Sequence, residues 1–168
     1  MQATIDYAAV FAKSLADLAT LYTLDWDRLQ DLLDKATDEL AEGAEDQLTP
    51  EERAELETLR EQAGECSSQD DANERVDEYP LEFSFAVDSC NPQDWPPKRP
   101  DRLIILVTTG GPAARIVIEL GESWGYGNWW LEVSDWGTGW QTVIQEAHEK
   151  QQIEPLIDHW VEILESYL

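Results

Sequence analysis

The sequence predicts an α+β protein: acidic N-terminal helices, an antiparallel four- to five-stranded sheet laid out as a meander, and a C-terminal amphipathic helix. Three observations carry that prediction. Apolar residues recur at three- and four-residue intervals up to Tyr79 and again from Ile153, the period of helices with one buried face. Between Leu81 and Ile144 they instead alternate with polar residues or run in short blocks, as strands do. Two glycine-rich stretches, around Gly110-Gly111-Pro112 and around Gly137-Thr138-Gly139, separate those blocks as turns.

The first helix is expected from Ile5 to Tyr22, burying Ala8, Phe11, Ala12, Leu15, Leu18, Ala19 and Tyr22. Thr23 or Asp25 caps a second helix that begins near Trp26 and turns Trp26, Leu29, Leu32, Leu33, Ala36 and Leu40 inward. The pattern lapses around Gly43. Thr49-Pro50-Glu51-Glu52 then supplies a cap, a proline at the first helical position and a glutamate that closes a capping box. That third helix points Leu56, Leu59 and Ala63 inward and stops at Gly64, and a shorter one runs from Ser68 towards Tyr79 until Pro80 ends it.

After Pro80, the alternation of Leu81, Phe83, Phe85 and Val87 with polar residues marks a strand near a sheet edge. The four prolines between Cys90 and Pro100 require a loop. Leu103 to Val107 is apolar on both faces, as a central strand is, and Arg115 to Leu120 pairs with it as a hairpin. Trp129 to Ser134 and a strand near Trp140 to Ile144 complete the sheet. The last helix buries Ile153, Leu156, Ile157, Trp160, Val161, Leu164 and Leu168 and exposes Glu154, Asp158, Glu162 and Glu165. Residues 1–79 thus form an acidic helical region and 80–168 the sheet with its helix, within one compact domain.

Charge is the most unusual property. Asp and Glu outnumber Lys and Arg by 36 to 11, a formal net charge of −25, in a chain too rich in aliphatic and aromatic residues to be disordered. Such a field repels phosphate and anionic membranes and draws in basic surfaces, so direct nucleic acid or membrane binding is not expected. No apolar run approaches a membrane span, and the N-terminus lacks a basic-then-apolar leader, so a cytoplasmic protein is expected. Cys66 and Cys90 form no C-x-x-C, and His148 and His159 have no partner at ligand spacing; neither metal nor cofactor is expected.

Two stretches are candidate partner-binding sites. Asp27, Asp31, Asp34, Asp38 and Glu42 recur at four, three, four and four residues, a row of carboxylates along the outer side of the second helix. Like charges so spaced cost an isolated helix about 0.2–0.5 kcal/mol per pair, unless a partner or counter-charges such as Lys35 offset them. The row is either a solvated face or an imitation of the phosphate row of a nucleic acid, extended by Asp46, Glu51 and Glu55. The second stretch is the tryptophan-rich hairpin. Its indoles either pair across strands, or Trp130 and Trp136, beside Glu132 and Asp135, form an exposed patch for a sugar or peptide. No nucleophile or phosphate loop accompanies those two carboxylates, so no catalytic residue is assigned.

The runs TTGGPAARIVIEL and WWLEVSDWGTGWQ, with the opening FAKSLADLATLYTLDWDRLQDLLD, resemble a family of small acidic proteins encoded on proteobacterial phages and integrative elements. The resemblance covers most of the chain and implies a mobile-element setting. Small acidic proteins of that setting include anti-CRISPR and anti-restriction proteins, several of which are DNA mimics. The expectation is therefore a non-enzymatic inhibitor that occupies a basic nucleic-acid-binding site on a host complex through protein–protein contacts, with a sugar- or peptide-binding module as the alternative.

Overall fold

A computed structural model describes residues 6–38, 48–87, 100–109, 112–121, 125–136, 138–143 and 145–166. Four helices come first: α1 (Tyr7–Tyr22), α2 (Trp26–Asp38), α3 (Pro50–Ala63) and α4 (Gln69–Glu78). Their ends follow from local chemistry. The Asp6 carboxylate accepts the Ala9 N–H to start α1, while Thr23 closes it, its hydroxyl donating to the Ala19 carbonyl at 2.9 Å. Asp25 is thus the residue that caps α2, accepting the Arg28 N–H at 2.9 Å. At α3 the capping box forms in both directions, Glu52 N–H to the Thr49 hydroxyl and Thr49 N–H to the Glu52 carboxylate. Gly64, at φ +60°, ends α3 in a conformation that side chains resist, and Ser68 caps α4.

The strands β1 (Glu82–Ala86), β2 (Arg102–Thr108), β3 (Ala113–Leu120), β4 (Tyr126–Ser134) and β5 (Gln141–Val143) form one antiparallel sheet in sequence order, with β1 at an edge. Register puts Phe83, Ile105, Ile116, Leu131 and Val143 in one row and Phe85, Leu103, Ile118 and Trp129 in the next, both on the face that meets the helices. Ser84, Ile104, Val117 and Trp130 form a row on the opposite face. Several boundaries differ from the sequence reading, β3 beginning at Ala113 rather than Arg115 among them, and two differ with consequence. β4 begins at Tyr126, because Gly127 hides the alternation there, and β5 is only three residues long, which leaves Trp140 in the turn before it.

The helix α5 (Ala147–Glu165) crosses the sheet beside α1 and α4. It runs through Pro155, which gives up one backbone hydrogen bond, and still buries Ile153, Leu156, Ile157, Trp160 and Val161. Trp160 anchors this core: it is 0% exposed, its indole N–H donates to the Val76 carbonyl at 3.2 Å, and its ring stacks on Tyr79. Lys150 guards the part of β4 that β5 does not reach, donating to the Trp129 carbonyl at 2.5 Å and lying 5.0 Å from that indole. No described helix is long and apolar enough to cross a membrane.

The N-terminal helices do not share one core. α1 and α4 belong to the sheet's core, whereas Leu24, Leu29, Leu32, Leu48, Leu56 and Ala63 form a separate cluster between α2 and α3. Trp26 packs against both clusters. Elsewhere a cleft of about 830 Å³ lies beside the contact of the C-terminal half of α3 with α1, with Lys13, Leu21, Thr58, Gln62 and Arg75 among its walls. Ile5, Leu40, Gly43, the proline-rich loop and Leu168 lie outside the described residues.

Candidate partner-binding surfaces

The acidic row lies on the helical pair that stands apart from the sheet. Asp27, Asp31 and Asp34 are all exposed along α2, and Asp38 closes the helix with its side chain outside the described residues, as are Glu42 and Asp46 entirely. The row is not uniform. Asp31 sits between Arg28 at 2.9 Å and Lys35 at 3.2 Å, so its charge is matched on both sides. Among the described residues Asp34 takes only a neutral donor, the Gln30 amide at 2.7 Å.

The same two cations tie α2 to α3. Arg28 grips Glu55 with two nearly parallel bonds, Nε to Oε1 at 3.1 Å and a terminal nitrogen to Oε2 at 2.6 Å, the fork geometry that makes guanidinium–carboxylate pairs specific. Lys35 reaches Glu52 at 3.2 Å. Hydrogen bonding to Glu55 raises the Arg28 pKa and the same bond lowers that of Glu55; Glu52 is lowered first by the Thr49 N–H and then by Lys35. Glu55, one of the predicted contacts, is therefore a member of the clamp, while Glu51 stays exposed on the first turn of α3. Arg28 was not singled out from sequence, and Glu52 only as the capping glutamate of α3, although Arg28 lies three residues from Asp31, a spacing that brings side chains together on a helix.

On the sheet's outer face, guanidinium groups rather than other indoles accompany the tryptophans. Arg102 lies over Trp130 at 5.5 Å and Arg115 over Trp140 at 4.1 Å. Glu132 joins the two pairs: one oxygen accepts the Trp130 N–H at 2.8 Å, the other accepts Arg115 Nε at 2.7 Å. Cross-strand register creates this chain, because Arg115 faces Glu132 across β3 and β4. Trp130 is half-buried within it. Trp136 takes no part and projects from the β4–β5 turn with 78% of its surface exposed. Two polar bonds are made within that turn, Thr138 N–H to the Asp135 carbonyl and Trp136 N–H to the Asp135 carboxylate.

Glu132 is thus committed to Trp130 and Arg115, and Asp135 to its own turn. His159 links three helices, its Nε2 2.7 Å from Asp77 on α4 and its Nδ1 3.3 Å from the Tyr22 hydroxyl on α1. Burial, and then the Glu162, Asp77 and Asp158 carboxylates, push the Tyr22 pKa up; burial and the Asp158 bond do the same to Tyr126. Among the described residues no group of three or more His, Cys, Asp or Glu side chains is placed to hold a metal ion. Comparison with protein-family models, with curated proteins and with solved structures gives no match to this chain.

Proposed function

We propose that this protein is a non-enzymatic acidic binder that occupies a basic, nucleic-acid-binding groove on a host protein or complex, as an anti-CRISPR or other anti-defence inhibitor of a mobile element does. It acts in the cytoplasm and uses α2 and α3 as its contact surface. The observation that carries this reading is the concentration of carboxylates there: fifteen of the 36 acidic residues and only four of the 11 basic ones lie between Asp25 and Glu65. Asp27 and Asp34, seven residues apart, stand about 10 Å apart along the helix on its exposed side. A surface of this kind presents basic side chains with carboxylates where they would otherwise meet phosphates.

The test is capture of proteins from a proteobacterial lysate at low and at moderate salt, comparing wild type with a variant in which Asp27, Asp31, Asp34 and Asp38 are all Asn. A nucleic-acid-binding complex retained by wild type, shed as salt rises and missed by the variant supports the reading. Equal retention by both proteins refutes it. Singly, Asp34→Asn weakens binding more than Asp31→Asn, because Arg28 and Lys35 already match the Asp31 charge.

The exposed Trp136 ring favours a second reading, a sugar- or peptide-binding module. It predicts loss of binding in Trp136→Ala and none on neutralising the α2 row.

A further inference from the structure

We propose that α2 and α3 open by local unfolding as one cooperative unit, between Thr23 and Gly64, while the sheet's core stays closed. Four features converge on it. First, α2 and α3 have their own leucine cluster, so they can open together while leaving the sheet's core intact. Second, Arg28 and Lys35 join the two helices to each other, through Glu55 and Glu52, rather than to the rest of the molecule. Third, a cleft of about 830 Å³ lies beside the contact of α1 with the C-terminal half of α3, with Arg75 of α4 on its wall, so that this junction is open to water on one side.

The fourth feature is Trp26, the aromatic residue that touches both cores, whose indole N–H is buried with no acceptor among the described residues. A buried donor without a partner penalises the folded arrangement, and opening of the unit would return it to water. Two short connections bound the unit. The chain leaves α1 at Thr23 and re-enters α2 after two residues, and it leaves α3 at Gly64, whose φ of +60° only glycine adopts without strain and where an added Cβ would meet nothing.

Native-state hydrogen exchange on the full chain tests the proposal. Amides within α2 and α3 should share one opening, at lower protection than β3, β4 and α5. Arg28→Met should lower protection of α2 and α3 together, about two- to fivefold, with β3 unchanged. Trp26→Phe keeps the ring, removes the unpartnered N–H, and should hold or raise that protection; Trp26→Ala should lower it. The proposal is overturned if α2 and α3 exchange only in the global opening that also exposes β3, if Arg28→Met affects one helix without the other, or if Trp26→Phe loosens both. Should Arg28→Met fail to fold, the wild-type and Trp26→Phe profiles decide alone.

Discussion

The sheet with α1, α4 and α5 and the α2–α3 pair are two cores of one chain, held by different forces. The first buries aromatic and branched side chains around a fully enclosed tryptophan, and its polar links, such as His159 with Asp77 and Tyr22, fasten helices that burial has already placed. The second buries mainly leucines and is closed from outside by Arg28 and Lys35. Burial of apolar area is indifferent to pH and grows with side-chain size. A clamp of exposed ion pairs depends on protonation and salt and adds direction rather than strength. The region with the smaller core is thus the one that carries the denser charge, and it is where pH and salt should change stability most.

The largest expected effect lies in the first core. Trp160→Ala should cost about 3–5 kcal/mol of global stability, measured by urea unfolding, because it empties the space between Val76, Tyr79 and the sheet. Trp160→Phe keeps most of the packing and should cost less. A large loss confined to α2 and α3 would break the comparison.

Opposite pH limits sharpen it. Glu52 and Glu55 have lowered pKa values, so the folded state loses protons that the unfolded state holds. Their contribution is complete above the ordinary glutamate value of about 4.3 and disappears as pH falls through the lowered values. Tyr22, Tyr79 and Tyr126 are shifted the other way, chiefly by burial. Their contribution is complete below the ordinary tyrosine value of about 10 and disappears as pH rises through the raised ones. Acid should therefore loosen α2 and α3 first and alkali the sheet's core, as amide and tyrosinate signals followed across both ranges would show. Tyr126→Phe should blunt the alkaline limit and leave the acid one unchanged.

A middle-sized effect comes from one hydroxyl. Thr49→Ala removes half of the α3 capping box and should cost about 1 kcal/mol, seen as lower protection in the first turn of α3.

What could be read from the sequence follows the same division. Periodicity placed the helices, and alternation or short apolar blocks between turns placed the strands, because most of these elements bury one face and the pattern records it; Leu15, Leu32, Leu103 and Ile157 are all buried. Thr49-Pro50-Glu51-Glu52 fixed the start of α3 because a capping box is a local motif. The partition into two cores was not legible, since α1 and α2 have similar apolar stripes and nothing local says which stripe meets the sheet. Nor was the chain from Arg102 through Trp130, Glu132 and Arg115 to Trp140, which exists only once register sets β2, β3 and β4 side by side. The acidic row was legible as a row, but its division into a matched Asp31 and a less matched Asp34 depends on where Arg28 and Lys35 point.

The smallest effect on stability is expected at Trp136, and it is the most useful for choosing between the surfaces. With 78% of the residue exposed and the turn held by Asp135 and Thr138, its ring contributes little to either core, so Trp136→Ser should change stability by no more than about 0.5 kcal/mol. Folding is then not a confounding factor in a binding experiment, as it would be for the half-buried Trp130, whose N–H engages Glu132. Retained capture of a basic complex by this variant, alongside loss in Asp34→Asn, assigns binding to the helical pair. The reverse pattern assigns it to the hairpin and makes the carboxylates of α2 a solvated coat.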